Sequence, residues 1–475
     1  MKRVNYLFCL FLFVASAHAQ QTSTELQFDR LNGPTSMDWL TQRFLIHKNG
    51  ARLDAAFGLE TQSAIFGDYG GFYVFGLHGR VGLEVQNIKL WSGMTVATGG
   101  GASAPDGDGL MYRFQAQASY PINNRLSLAV GANTLDFPTG DIRSNHLSYS
   151  LNYTMPYQWS PPSEVSLWGG SISVLAGVML FDGEDASRIT ERGRSLYNGV
   201  RFSQSIAKKM ELDLQLGASA VGETDGFMDY KAGISYVPFF GNFQPIIRGQ
   251  IGSGGGGGVY TGGGLAVSSG IGMRLWNDFE VGCYYWNAAQ TTMEAPYIEF
   301  AYRVPFESNF AFIQSKAADK MRTSEMNVQR LILVIGNRTN IAQGQDRSGS
   351  DYRPMSSIFL GAKVPLSNRF YASGETLWAA TGGYGAYAEG MFGGYYDAWT
   401  HESQAVGFNA SVVVAGGGGI EVGSGTALAM GLHARSTVAG IPTSLIARYK
   451  YFGPGAYNPV VLGVQFEPNF KVYRK

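Results

Sequence analysis

Phe243–Gly252 (FQPIIRGQIG), the loop SGGGGGVYTGG after it, Gly264–Leu275 (GLAVSSGIGMRL) and the turn Trp276-Asn277-Asp278 decide how this chain reads. Two strands flank a long Gly-rich loop, and a tight turn follows. Phe279–Asn287 continues as a third strand, and Tyr297–Val304 (YIEFAYRV) as a fourth, ending at Pro305-Phe306. The same four-strand unit recurs at Leu83–Tyr157, Ser173–Phe239, Leu331–Tyr395 and Phe408–Phe466. Strands of about ten alternating residues, joined alternately by short turns and long loops, are what a transmembrane β-barrel requires.

Alternation sharpens this reading. Along Tyr112–Tyr120, Tyr112, Phe114, Ala116, Ala118 and Tyr120 share one face, and Arg113, Gln115, Gln117 and Ser119 share the other. Successive side chains of a strand point to opposite faces, so the period is two. Charged residues recur at mid-strand on the polar face. Arg113, Arg201, Asp213, Lys231, Arg248, Glu280, Glu299, Arg303, Lys363, Glu375, Arg435, Arg448 and Lys450 are the expected lumen-lining set. Phe114, Ile247, Tyr302 and Tyr449 are expected to face lipid. A soluble sandwich also alternates. A β-propeller also repeats four strands, but its blades take about 40–50 residues, against roughly 60–75 here.

The short turns are Pro121–Arg125, Ala207–Lys209, Phe240–Asn242, Trp276–Asp278 and Pro365–Asn368; the long loops are Gly99–Gly109, Phe181–Ser195, Ser253–Gly263, Asn337–Pro354 and Gly416–Gly425. Five units and one hairpin, Arg52–Glu60 with Phe72–Gly79, predict one antiparallel barrel of about 16–22 strands over 51–475. Thr35–Lys48 reads as a short helix in an N-terminal segment, 21–50, that is an ordinary extension, plugs the lumen or lies in the periplasm. Ser315–Gln329 reads as a polar, helix-compatible insert on the short-turn side, first a simple long turn and second a candidate partner contact. Trp159-Ser-Pro-Pro-Ser reads as a linker.

Residues 1–20 form a secretory signal: Lys2 and Arg3, an apolar run Tyr6–Ser16, then Ala17-His18-Ala19 before Gln20. Cys283 is then the one remaining cysteine, so an intrachain disulfide is excluded; it is expected to face lipid. Charged residues make up 15 % against about 25 % in soluble domains. The balanced charge gives no case for nucleic acid. No apolar run is long enough for a transmembrane helix.

Chemistry is sparse. Gly254–Gly258 lacks a following Lys-Ser/Thr and reads as a flexible external loop rather than a phosphate cradle. Asp106-Gly-Asp108 reads as a turn rather than a calcium loop. His146 lies near Ser144 and Ser148, and His401 near Asp397 and Glu402, but neighbours in sequence do not make a triad. No cofactor or metal is expected. Trp39, Trp168, Trp276, Trp286, Trp378 and Trp399, with Tyr120, Tyr157 and Tyr236, are expected to form interfacial girdles.

The signal, the x-Pro-x-x-Asn-x turns and strands such as SSIFLGAKVPLSNRFYASGETL resemble outer-membrane barrels of Bacteroidota-type bacteria. The resemblance implies an outer-membrane β-barrel with lipid as its surroundings. The expected function is a passive channel for small polar solutes. The alternative is a non-catalytic barrel subunit of an envelope complex for secretion, surface attachment or polysaccharide export, with envelope proteins or further copies as partners.

Overall fold

The computed structural model describes residues 21–474 except 33–36, 49–52, 156–163, 184–191, 225, 239–240, 277, 310, 314–318, 323–326, 424, 439 and 455. The signal and the linker at Trp159 lie outside the described residues.

Alternating strands close into rings by hydrogen-bonding the last strand to the first, and here that happens three times. Barrel 1 comprises β1 (Gln21–Arg30), β2 (Met37–Lys48), β3 (Asp54–Gly67), β4 (Tyr73–Val85), β5 (Ile88–Gly100), β6 (Leu110–Pro121), β7 (Leu126–Asp136) and β8 (Arg143–Thr154). It closes through β1 and β8, from Ser23 opposite Thr154 to Asp29 opposite Ser148. Barrel 2 comprises β9 (Glu164–Asp182), β10 (Arg192–Ala207), β11 (Met210–Gly222), β12 (Met228–Tyr236), β13 (Phe243–Gly255), β14 (Leu265–Leu275), β15 (Phe279–Ala288) and β16 (Glu294–Ser308). It closes between β9 and β16, from Asp182 opposite Glu294 to Trp168 opposite Ser308.

The short strand β17 (Asp319–Arg322) pairs with the lower end of β9. Barrel 3 comprises β18 (Asn327–Ile341), β19 (Met355–Pro365), β20 (Phe370–Ala379), β21 (Ala388–His401), β22 (Gln404–Gly416), β23 (Thr426–Val438), β24 (Ile441–Tyr451) and β25 (Val460–Phe466). It closes between β18 and β25. Past Glu467-Pro468, β26 (Asn469–Arg474) continues β25 in the same register along β18. One residue pair, Ser308 with Arg474, joins the hydrogen bonding of barrels 2 and 3.

The antiparallel barrel architecture is the expected one, but the single ring of 16–22 strands is corrected to three rings of eight, closed by β1 with β8, β9 with β16 and β18 with β25. Each four-strand unit is half a ring. Closure is a long-range pairing, and the alternation along a strand is the same whatever the ring size. The helix over Thr35–Lys48 is corrected as well, because Met37–Lys48 is β2. Its inward residues are buried, and Asp38, Leu40, Gln42, Phe44 and Ile46 on its outward face are half-buried. A strand covered on both sides loses its apolar–polar contrast, so period two was hidden. The 21–50 segment is therefore wall, not plug. In the insert Ser315–Gln329, the described residues belong to β17 and the start of β18 rather than to a helix.

Burial is inverted relative to a soluble protein. On β6, Arg113, Gln115, Gln117 and Ser119 are buried, while Phe114, Ala116, Ala118 and Tyr120 are exposed. The same holds on β8, where Leu147, Tyr149 and Leu151 are outside and His146, Ser148 and Ser150 inside. At the short-turn end, Tyr120, Tyr236, Trp276 and Trp399 are exposed, as a girdle requires. Trp39, Trp168 and Trp286 depart from that expectation because they are buried, and Trp378 stacks on Phe75 of barrel 1 at 4.8 Å.

The Gly-rich loops are not free tips; they form the seam between barrels. A Cβ on Gly71 would lie 2.4 Å from the Gly256 nitrogen, and φ there is +92°. A Cβ on Gly263 would lie 2.1 Å from the Phe66 Cα. Such approach is open only to a residue without a side chain. Polar links cross the same seam. Tyr73 Oη donates to the Ser253 carbonyl at 2.9 Å, Ser253 Oγ donates to the Ala64 carbonyl at 2.6 Å, and Tyr230 Oη donates to Gln42 Oε1. Between barrels 1 and 3, Thr98 Oγ1 donates to the Ala379 carbonyl, and Phe57 and Leu77 pack against Ile335.

Because barrel 1 closes on its own strands, residues 21–155 alone should refold into a heat-modifiable barrel in detergent. A chain piece that stays unfolded, with no mobility shift on gels, would contradict three separate rings.

Asp106, in the β5–β6 loop, sits where barrels 1 and 3 meet. A Cβ on Gly100 would lie 1.7 Å from its Oδ2, and one on Gly385 of barrel 3 would lie 2.8 Å from its Oδ1. Burial pushes this carboxyl up to about 7, against the Gly101 N–H that donates to it at 3.1 Å. A raised carboxyl binds its proton more tightly when folded. Its contribution is therefore present in acid and is lost as pH rises from the unfolded carboxylate range through about 7. The thermal transition should fall between pH 5 and pH 8, and Asp106→Asn should flatten that fall. An unchanged slope in the variant would contradict the assignment.

Candidate functional site: three packed interiors

Inward-facing positions of the strands build each interior in two layers. At the loop end the layer is apolar. In barrel 1, Trp39 stacks on Phe72 at 5.4 Å and Phe72 meets Phe137 at 5.9 Å, packed with Met37, Met111 and Leu135. In barrel 2, Phe181, Phe227 and Trp286 form an edge-to-face cluster with centroids 4.8–6.0 Å apart. In barrel 3, Tyr352, Tyr387 and Phe452 gather round Tyr457.

Below and among the apolar groups the interior is charged, with Lys231–Asp229 and Lys450–Glu389 near the loop end and the other pairs deeper, and nearly every charge is paired. Arg43 of barrel 1 bridges Glu25 and Glu60, each at 2.5 Å; Arg113 bridges Glu60 at 2.5 Å and Asp29 at 3.1 Å; Arg80 reaches Glu25 at 2.7 Å. In barrel 2, Arg201 holds Glu299 at 2.6 Å and also Glu280, while Arg248 spans Asp213 at 3.0 Å and Glu280 at 3.1 Å. Lys231 pairs with Asp229 at 2.7 Å, and Arg303 meets Glu211 at 3.2 Å. In barrel 3, Glu375 takes Arg338 and, at 3.0 Å, Arg448; Lys450 pairs with Glu389 at 2.5 Å, and Lys363 with Glu467 at 2.7 Å. Arg435 and His433 share Asp397 at 2.6 and 2.8 Å.

Each residue of the lumen set thus faces an interior, but the set is divided. Arg113 lies in barrel 1. Arg201, Asp213, Lys231, Arg248, Glu280, Glu299 and Arg303 lie in barrel 2, and Lys363, Glu375, Arg435, Arg448 and Lys450 in barrel 3. Only Arg303 and Arg435, near the turn-side mouths, keep some exposure, at 11 % and 19 % of their side chains. The expected lipid-facing residues Phe114, Ile247, Tyr302 and Tyr449 are all exposed. Cys283 is exposed on the outer face of β15. Sequence reading missed Glu25, Asp29 and Arg43, because β1 and β2 were not read as strands, and Glu60, which closes the expected Arg52–Glu60 strand but was not placed on its inner face. The strand phase would have found them.

Histidines are held inside too. His146 Nδ1 lies 3.1 Å from Ser144 Oγ, and its Nε2 lies 3.2 Å from Asp29 Oδ1. This brings serine, histidine and aspartate together. However, all three are buried, and the Asn32 N–H donates to Ser144 Oγ at 2.7 Å. A hydrolase needs room beside the nucleophile for a reacting carbonyl, and Ser144 faces the packed interior instead. Asp397 pairs with His433, not with His401. Among the described residues, no cluster could hold a metal ion.

No protein-family model matches the chain, and no curated protein is similar to it. Solved structures similar to it include OccAB3 of Acinetobacter baumannii, 9 % identical over 96 % of this chain and 100 % of that one, with a TM-score of 0.21. The outer membrane protein OpdK of Pseudomonas aeruginosa is 8 % identical over 95 % and 98 %, with a TM-score of 0.22. A de novo designed transmembrane β-barrel is 13 % identical, covers 31 % of this chain and all of its own, and has a TM-score of 0.19. At such scores the likeness bears on neither ring size nor cargo.

In an aqueous lumen Arg113→Phe would be well tolerated. In barrel 1 it leaves Asp29 and Glu60 short of a partner, and unpairing a buried charge costs about 3–5 kcal/mol. Phe114→Arg places a charge outside, at about 2–4 kcal/mol near the membrane midplane. Both single variants should therefore lower the thermal transition, and Arg113→Met combined with Glu60→Gln should recover part of the loss. Wild-type stability in Arg113→Phe would show that the interior is wet rather than packed.

Proposed function

We propose that this chain is an integral outer-membrane protein whose three small barrels stand side by side as a non-catalytic scaffold, closed to bulk flow. Inverted burial carries the membrane part of this reading: Phe, Tyr, Leu, Ile and Val side chains face outward while Arg, Lys, Asp and Glu face in. In water that arrangement would leave a large apolar surface uncovered. The secretory signal and the pairing of short turns with long loops favour the outer membrane, with the short turns on the periplasmic side. Closure to flow follows from ring size, since about eight strands leave an interior that side chains just fill.

A second reading, passage of small polar solutes, is favoured by the charged turn-side layer. A cavity of about 1000 Å³ in the mouth of barrel 3 brings solvent as far as Arg435 and Glu467. In this reading the apolar layer is the gate. Planar-bilayer recording separates the two. The wild-type protein should add no steady conductance, and Tyr387→Ala with Tyr457→Ala, which thins the layer of barrel 3, should open small steps. Steady ohmic steps from the wild type would overturn the closed scaffold in favour of the channel.

A further inference from the structure

The three barrels converge, and the pairing registers identify the residues that face the place where they meet. One cross-strand row of barrel 1 runs Gln42, Thr61, Phe75 and Thr98 over β2 to β5. Its two ends are covered by different neighbours. Gln42 accepts from Tyr230 Oη of barrel 2. Phe75 stacks on Trp378 of barrel 3 at 4.8 Å, and Thr98 Oγ1 donates to the Ala379 carbonyl of barrel 3. Thr61 lies between these contacts, so it faces the junction of all three rings, and it is exposed.

The row of barrel 3 that starts at the same aromatic stack ends in the same way. Trp378 pairs with Ile358, and Ile358 with Asn337, across β20, β19 and β18. Ile358 is half-buried and Asn337 is exposed. On barrel 2, Leu216 pairs beside Tyr230 and is exposed as well. Two residues nearer the turns the walls close, where Leu59 and Leu77 of barrel 1 pack with Leu333, Ile335 and Leu360 of barrel 3. Two residues nearer the loops Ser63 is buried, and Tyr73 opposite it donates to the Ser253 carbonyl of barrel 2 at 2.9 Å. The exposure at Thr61 and Asn337 thus marks a gap between two covered layers.

The chemistry of its walls selects what fills it. Asn337 Nδ2 donates to the Ser357 carbonyl at 3.1 Å. One step toward the loops, the same wall continues with Thr339 and Ser356, whose hydroxyls lie 3.3 Å apart. Hydrocarbon would offer these amide and hydroxyl groups no replacement for the hydrogen bonds they make in water. An ordered water needs a polar site with roughly two to four partners, and a threonine, an asparagine and a pair of hydroxyls supply that.

We propose that the junction is a hydrated crevice that carries water to membrane depth between the rings, while the ring interiors stay packed. The apolar contact of Leu59 and Leu77 with Ile335 ends it on the turn side. The contrast between water and lipid rests on the membrane reading above.

Solid-state NMR of the full-length wild-type protein in phosphatidylcholine vesicles tests this, with magnetisation transferred either from water or from acyl chains. Side-chain signals of Thr61 and Asn337 should build up from water as fast as those of Ser348 in an exposed loop. Val130, exposed on the outer face of barrel 1, should build up from acyl chains instead. Asn337→Leu should slow the water build-up at Thr61 at least about twofold by removing a polar partner. Thr134→Leu, on the outer face of β7, should leave it unchanged. Build-up at Thr61 and Asn337 from acyl chains, or from neither source, with Val130 in lipid, would overturn the crevice and leave the membrane reading standing. So would equal slowing in the two variants. Rapid build-up from water at Val130 would overturn the membrane reading and the crevice with it. The comparison within the wild type stands whether or not a variant folds.

Discussion

Eight strands closed on themselves enclose room for side chains and little else. That limit governs the interior of this protein. A charge placed there has no bulk water to turn to, so it must find a partner of opposite sign at hydrogen-bond distance. Barrel 1 sets buried Arg43, Arg80 and Arg113 against buried Glu25, Asp29 and Glu60. Barrel 2 sets Arg201, Lys231, Arg248, Arg274 and Arg303 against Glu211, Asp213, Asp229, Glu280 and Glu299. A ring of sixteen or more strands could leave such residues solvated and unpaired. Here the near-neutral bookkeeping inside each ring is a condition of its closing.

The outside follows from the same inversion. Once the polar face is committed to the interior, the other face has only apolar residues to offer, and lipid is the solvent that accepts them. Where a neighbouring barrel takes the place of lipid, the outward face changes character. Gln42 and Tyr230 face each other there and hydrogen-bond, and Ser253 reaches the Ala64 carbonyl. In a dry interface such pairs fix how one barrel sits on the next.

What the sequence made legible was phase. Arg113 against Phe114, Arg248 against Ile247 and Arg448 against Tyr449 were assigned to opposite faces by alternation alone, because a side chain's face depends only on its neighbours along the strand. The four-strand units were legible for the same reason. Ring size was not, because it rests on Ser23 meeting Thr154 and Ile335 meeting Phe466, pairings that leave no mark on local pattern. β2 was hidden because its outer face is covered by protein. The glycine runs carried a real signal that was read in the wrong sense: they mark close approach of backbones, not freedom of loops. The paired state of the interior charges was equally out of reach, since Arg201 of β10 and Glu299 of β16 are brought together only because ring closure sets both strands beside β9.

Among the described residues the seam between barrels is thin for what it holds, with glycine backbones in contact, a few hydrogen bonds, the packing of Phe57 and Leu77 on Ile335, and an aromatic stack between Phe75 and Trp378. Three free barrels meeting through such contacts in a bilayer would spend much of their time apart. Joined in one polypeptide, each sees the others at a fixed local concentration, set by connectors of nine residues, 155–163, and eighteen, 309–326, and in the millimolar range for short tethers. Weak contacts then suffice for lasting association. Stoichiometry is written into the chain rather than left to assembly, and the lipid-facing surface of each ring stays free of the large complementary patches that a self-assembling trimer would need.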